Sequence, residues 1–497
     1  MSLFRRFFVG AGYSLLGATV HRALLTLAAI LVARLLGVTD YGIYVNLVAV
    51  VNLLMTVGLF GLNTGFTTFL PGAAAAGPER LRAVAAAGTL LSCVLLTAVL
   101  AVAWSSAGLV AGALYRSVLS EAHLRIALPY VAALTLNTLV LSALYGLQEF
   151  RRYSLAMMTL GLLVAAGSVI GVWTGGLRGL FIGSTVAYAL STLLVLLLLR
   201  RLLGGRLGAP WPEVRARARE LLAFGLPTFL AGLFIAPAYW IGNMLMVRAG
   251  GPAPSGLFGV ASSLSQLVLF IPATLAAPLV PMLSEVAATA DRGRFSAFVA
   301  RNSRMVWCIS LPVTVLVGGA APVLIRVLYG GAFAPAVPAF VLLACANLLI
   351  AVESVGAYVF IARRRMWEGF ALNAVWFLVV LLLMAPLVRH GHVGFALVLL
   401  LAYALQGVTL LVFLRRHVDL GALAVRAARA GLLTLGAFAL AIGVALSGLA
   451  WPLVLALSAA GAAAVAALEW SFVLDADDRA LVTDTLDRVL QRGPAPD

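Results

Sequence analysis

Residues with chemistry to offer are few in this chain, and most lie inside long apolar runs: His21, Arg22, Arg34, Asp40, Asn52, Arg248, Gln266 and Glu353. Arg22 falls near the middle of the first apolar run. A guanidinium in hydrocarbon costs at least ~2.5–3.5 kcal/mol, so it must face a bundle interior or a wet cavity. It is either a structural arginine tied to carbonyls or an acid, or a cationic site for an anion. Thr19 and Thr26 lie within about 60° of it at helical spacing and extend one polar face. His21, one residue aside, is a satisfied structural group or one that titrates near neutral pH. Asn52, Thr56, Asn63 and Thr67 project to one stripe of a second helix, where they line a cavity or bond neighbouring helices. Gln266 with Ser262 and Ser263 occupies the matching place later in the chain. Glu353 is the one acid in the middle of a run; it serves as ion partner for an arginine or as a proton- or sodium-linked carboxylate. Glu469, near the end of the last run, is expected to snorkel toward the interface.

The elements that must position these residues follow from composition. Of 497 residues, 63% are hydrophobic and 10% charged, far outside the range of a water-soluble domain. Apolar stretches of roughly 20 residues repeat along the whole length, each able to cross a hydrocarbon core about 30 Å thick. The expected spans are 9–36, 43–70, 83–107, 124–148, 153–174, 178–201, 221–247, 256–283, 303–325, 337–361, 368–388, 392–414, 429–447 and 450–473. That is an all-α polytopic membrane protein of about fourteen transmembrane helices. The opening "MSLFRRFFVGAGYSLLGATVHRALL" resembles a signal peptide, but His21 and Arg22 interrupt it and the run continues to Leu36. It is expected to be a first spanning helix with its amino terminus inside.

The net charge of +16 comes from arginine, because the chain contains no lysine. Arg5 and Arg6, Arg80 and Arg82, Arg151 and Arg152, and the groups at 200–219, 292–304, 363–365 and 415–429 all fall in alternate connections. This positive-inside pattern places both termini in the cytoplasm and explains the basic charge without a nucleic-acid partner. Lysine Schiff-base chemistry and the lysine-bearing phosphate loop of ATP-driven pumps are excluded. Cys93, Cys308 and Cys345 have neither metal-ligand nor redox spacing, and no cofactor or metal is expected.

A shift of 214 positions superposes Arg34 on Arg248, Gly37 on Gly251, Gly42 on Gly256 and Asn52 on Gln266. With the shift drifting by one, Arg151-Arg152 meets Arg364-Arg365 and "AYAL" at Ala187 meets "AYAL" at Ala402. The chain is therefore expected to hold two parallel six-helix lobes, an N-lobe at 1–202 and a C-lobe at 221–416. A cytoplasmic linker with an interfacial helix at 203–220 joins them, and a helix pair at 417–474 and an amphipathic cytoplasmic tail at 475–497 follow. Two such bundles form an alternating-access transporter rather than an enzyme. Gly37 and Gly42 are expected to turn the backbone between the first two helices.

The segments "ARLLGVTDYGIY", "FLPG" and "VLYGGAF" resemble the polysaccharide-transporter, or O-antigen flippase, family of the multidrug/oligosaccharidyl-lipid/polysaccharide exporter superfamily. The resemblance implies translocation of undecaprenyl-diphosphate-linked glycan across the inner (cytoplasmic) membrane. It implies a cationic cavity, with Arg34, its repeat mate Arg248 and Arg22 contacting the diphosphate. Asn52 and Gln266 would line the same cavity, while Asp40, Glu353 and His21 would gate or couple transport to H+ or Na+. The partners are then the lipid-linked glycan, membrane lipids and that ion. Cation-coupled multidrug antiporters of the same superfamily are the runner-up, disfavoured by a first lobe with no acid inside a span. An integral-membrane polysaccharide polymerase or ligase is a further alternative, against which short exterior loops count.

Overall fold

The computed structural model describes residues 3–116, 118–202, 208–269, 283, 286, 292–363, 365–418, 421–476, 478–480 and 483. Regular structure among them is helical throughout, as hydrocarbon requires of a chain that must bond its own backbone. Eight described helical stretches are long and apolar enough to cross a membrane, or ten if each bent pair counts as one span. The protein is thus a multi-pass membrane protein. Its chain divides into compact units at Met1–Gly259 and Val260–Asp497.

In the first unit, helices α1 (3–36) and α2 (38–59) are separated by a break at Gly37. They are followed by α3 (Leu62–Ala75), α4 (Pro78–Leu109) and α5 (Glu121–Gly146). A break at Gly175-Gly176 divides α6 (150–174) from α7 (177–202). Then come α8 (Trp211–Gly232), α9 (Ile235–Gly250) and α10 (Ala253–Ser265), the last of which runs past the unit's end.

The breaks use a conformation open to glycine. Gly37 has φ 72° and ψ 177°, and its repeat mate Gly251 has φ 75° and ψ −169°. A side chain in that region is strained by ~1–3 kcal/mol. Gly42 does not share this role, contrary to the sequence expectation. It lies within α2 because the turn is complete at Gly37, and its missing side chain serves packing instead. A Cβ on Gly42 would run into the Pro252 carbonyl oxygen, and one on Gly256 into the Val38 carbonyl oxygen. The two contacts are reciprocal under the 214-residue shift, so α2 and α10 cross at equivalent glycines.

Two further expectations change. The polar stripe from Asn52 to Thr67 is divided, because Phe60 (φ 45°) and Gly61 (φ 75°) end α2 before Asn63. The single-helix projection therefore fails between Thr56 and Asn63. The expected interfacial helix in the linker is instead the opening of α8, which continues from Trp211 to Gly232 since no breaker stands between Glu213 and Phe224. Residues 203–207 of that linker lie outside the described residues.

The second unit contains α11 (Arg292–Gly319), α12 (Ala321–Leu328), α13 (Val337–Ala362), α14 (Met366–Leu387), α15 (Gly391–Leu414), α16 (Gly421–Leu446) and α17 (Trp451–Phe472). Small residues let α17 lie close against α11: a Cβ on Gly319 would be 2.5 Å from Ser458 Oγ. That close packing buries Glu469, which is 1% exposed, so the expected snorkelling does not occur. Beyond α17, Arg304 binds Asp475 at 3.0 Å and Asp478 at 2.8 Å, and Arg301 Nε lies 3.1 Å from Asp478. The rest of the expected tail helix, at 481–482 and 484–497, lies outside the described residues.

Gly42→Val is expected to destabilise the first unit by ~1–3 kcal/mol or more through overpacking. Gly12→Ala, with nothing within 4 Å of its added methyl, serves as the neutral control. Melting in detergent compares them, and equal melting temperatures would refute the close-contact role. Asp478→Ala removes the buried carboxylate shared by Arg301 and Arg304, while Asp475 stays on Arg304, and is expected to cost ~1–3 kcal/mol, the scale of lost charge-assisted hydrogen bonds. Protease release of the C-terminal tail from the folded protein measures that loss.

Candidate functional site

The first unit holds a polar cavity of about 370 Å³ among α1, α3, α5, α6 and α7. One face of α5 supplies half of its wall, through Leu134, Asn137, Thr138, Leu141, Ser142 and Tyr145 at helical spacing. The opposite side is His21 of α1, Thr67 of α3, Tyr153 and Met157 of α6 and Tyr188 of α7. The hydroxyls of Thr138 and Ser142 donate to the Leu134 and Thr138 carbonyls, each at 2.8 Å. Their lone pairs remain available as acceptors. Asn137 Nδ2 donates to Thr192 Oγ1 at 3.2 Å, which holds the amide between α5 and α7.

Aromatic rings pack within and against the cavity wall. Tyr145 and Tyr153 meet edge to face at 5.1 Å between centroids, and Tyr130 meets Tyr188 at 5.6 Å. Such pairs add ~0.5–1.5 kcal/mol each beyond burial and restrict the ring positions. Gly161 brings α6 against α1, since a Cβ there would lie 3.1 Å from His21 Nδ1. That nitrogen is buried with no hydrogen-bond partner among the described residues. No carboxylate and no arginine lines the cavity. Its chemistry is that of rings, hydroxyls, one amide and one imidazole, which suits a neutral polar ligand rather than a cation.

Of the residues singled out from the sequence, His21 and Thr67 line this cavity. Arg22 is exposed on the neighbouring face of α1, and its carbonyl accepts from the Thr26 hydroxyl at 2.9 Å. Arg34 is exposed in the last turn of α1, and Arg248 is partly exposed in the last turn of α9, each three residues before its positive-φ glycine. Asp40 is exposed in the first turn of α2, where its charge favours the helix amino terminus. Its mate under the shift is Pro254, in the first turn of α10, another residue suited to a helix start.

Asn52 is exposed on α2, its carbonyl accepting from Thr56 at 2.8 Å, and Gln266 is exposed just beyond α10. Glu353 is half-buried on α13 against Gly407 of α15, where a Cβ would lie 3.0 Å from Glu353 Oε1. Among the described residues Glu353 enters no salt bridge. Apart from His21, none of the eight candidates lines the polar cavity. Sequence reasoning missed Asn137, Tyr145, Tyr153 and Tyr188. The available signal was polar residues recurring on one face of the otherwise apolar 124–148 span.

Residues 31–338, more than half of the chain, match the family described as "Polysaccharide biosynthesis protein". The chain is 27% identical over 386 residues to the EPS I polysaccharide export inner membrane protein EpsE of Ralstonia nicotianae, covering 74% of this chain and 84% of that protein. The corresponding protein of Ralstonia solanacearum is 26% identical over 390 residues, with the same coverage of 74% and 84%. In fold the chain is similar to the lipid II flippase MurJ in an inward closed conformation, with a TM-score of 0.72 and 13% identity over 92% of this chain and 98% of that one. It is similar as well to an inward-facing multidrug resistance MATE family transporter of the MOP superfamily, with a TM-score of 0.66 and 15% identity over 81% and 97%.

If the cavity is water-filled, a cysteine placed in it reacts readily. In a background lacking Cys93, Cys308 and Cys345, Ser142→Cys is expected to be labelled by a small charged thiol reagent at least about tenfold faster than Ser168→Cys, because a thiol reacts where it is accessible. Ser168 is 8% exposed and outside the cavity. Equal labelling rates would show the cavity to be dry.

Proposed function

Because the chain belongs to the polysaccharide biosynthesis protein family, we propose that it is a flippase for polyprenyl-diphosphate-linked oligosaccharide in the inner membrane, serving cell-surface polysaccharide assembly. About fourteen spans, arranged as two six-helix lobes and a terminal pair with both termini cytoplasmic, carry out alternating access. The lobes are assigned to 1–202 and 221–416, the linker to 203–220, the terminal pair to 417–474 and the cytoplasmic tail to 475–497. The EpsE relatives, named for polysaccharide export at the inner membrane, support the substrate class.

The observation that carries this reading is the acid-free polar cavity of the first unit. Hydroxyls and aromatic rings match the alternating polar edges and apolar faces of a sugar. Arg22, Arg34 and Arg248 are assigned to the diphosphate, whose oxygens fit the donor fork of a guanidinium. Asn52 and Gln266 contact the head group, and membrane lipids surround the path. Glu353 and His21 are assigned to coupling with H+ or Na+, and Asp40 to gating. A cation-coupled drug antiporter would place a carboxylate in such a cavity, and none of the described lining residues is acidic.

Purified protein in liposomes should move a fluorescent lipid-linked oligosaccharide between leaflets without changing its mass. Arg22→Ala and Arg34→Ala are each expected to lower that transfer at least about tenfold, the scale of one lost charge-assisted contact, with membrane abundance near wild type. Wild-type transfer in both variants would remove these arginines from the site. A covalently altered sugar lipid would favour a polymerase or ligase, and ion-driven extrusion of an organic cation would favour the antiporter.

A further inference from the structure

A second cavity of the first unit, about 480 Å³, lies among α2, α4, α5 and α9 and differs in chemistry from the polar one. Leu54 and Val57 of α2, Ala103 of α4, Leu128 of α5 and the ring of Trp240 on α9 are typical of its lining. It contains no charged side chain, and its one hydroxyl, that of Ser106, is already spent on the Val102 carbonyl at 2.7 Å. A dry apolar space of this size forfeits dispersion contacts unless something fills it, and an apolar cavity takes an apolar guest rather than water. In a chain whose helices cross a bilayer, that guest is hydrocarbon.

The cavity's mouth has a different character. At the end of α4 the wall becomes a five-residue π-helix, Val110–Leu114, a form that recurs at functional sites. Arg116 follows it with φ 48° and is exposed. Arg125, next to the lining residue Leu124, stands 4.7 Å over the ring of Trp104 and pairs with Glu121. Trp104 is 53% exposed, as an aromatic at the level of lipid head groups is. Two arginines against one carboxylate leave this rim positive, beside a pocket whose lining is almost wholly apolar.

We propose that this cavity holds the polyprenyl tail of the carrier lipid, with its phosphate against Arg116 and Arg125. The inference rests on the flippase reading above. With the topology given there, the site lies in the outer half of the bilayer, so it holds the tail on the side where the glycan is delivered. The charged head and the tail thereby have separate sites, and the tail site selects a lipid by its chain together with its phosphate.

The test uses the full-length protein in neutral phosphatidylcholine nanodiscs with a polyprenyl phosphate bearing a diazirine on its tail. Illumination is expected to label α4 between 98 and 107, and Ala103→Phe and Ala98→Phe should each lower the yield at least about tenfold, as a filled pocket excludes its guest. Arg116→Gln combined with Arg125→Gln should reduce the preference for polyprenyl phosphate over neutral polyprenol at least about fivefold, the scale of a charge-assisted contact. Melting curves identify any variant that has not folded, and the two filled variants act as checks on each other. Label confined to helices other than α2, α4, α5 and α9, undiminished yield in both folded filled variants, or equal displacement by phosphatidylglycerol would overturn the site. Leaflet transfer is measured on the same wild-type preparation. Transfer without labelling of the cavity wall overturns the tail site and leaves the flippase reading standing, whereas wall labelling without transfer overturns the flippase reading and keeps the lipid site.

Discussion

The structure depends on one constraint: in hydrocarbon the backbone must find its hydrogen bonds within its own helix. A chain under that rule changes direction only where a residue tolerates an unusual backbone or where polar groups reach the interface. Among the changes here are Gly37, Gly61, Gly176 and Gly251, all with positive φ. Glycine has a second use in the same fold. At Gly42 and Gly256 the helices are regular, and the missing side chain allows one backbone to touch another. Packing between apolar helices gains little from the hydrophobic effect when the solvent is itself apolar, so such close contacts take over much of the work of association.

That double use limits what the sequence reveals. The 214-residue repeat was legible, and in the structure the glycines it pairs do matching work, Gly37 with Gly251 as turns and Gly42 with Gly256 as close contacts, although Gly42 was expected to turn. Which work each pair does was not legible, because a glycine that turns and a glycine that packs are the same letter. The same limit divided the Asn52–Thr67 stripe: nothing in "TVGLFGLN" distinguishes a continuous helix from one broken at Phe60-Gly61. Glu469 failed for another reason. Its exposure is decided by α11, 150 or more residues earlier in the chain, and no local pattern records that neighbour.

The polar cavity was legible at His21 and Thr67 alone. His21 stood out because an imidazole in an apolar run is conspicuous, and it does line the cavity. Asn137, Tyr145, Tyr153 and Tyr188 did not, since hydroxyls and amides in spans are common as bonds between helices, and Asn137 makes such a bond to Thr192. A cavity is a shortfall of volume among several helices, and it appears only when those helices are placed together. The apolar cavity is less legible still, because each of its aliphatic lining residues is indistinguishable from core or lipid-facing surface.

Repetition also has to be weighed against local physics before it assigns a role. Arg34 and Arg248 each close a helix just before a positive-φ glycine, a place where the negative end of the helix dipole favours a cation whatever the protein does. Asp40 and Pro254 show the converse. They differ in charge, yet each suits the start of a helix, so the lost aspartate of the second copy has a structural account independent of gating. Arg22 has no such account. It stands mid-helix, away from either terminus, where a guanidinium is costly and no helix dipole offsets the cost. Of the three arginines, Arg22 is thus the one whose position neither the repeat nor a helix terminus explains.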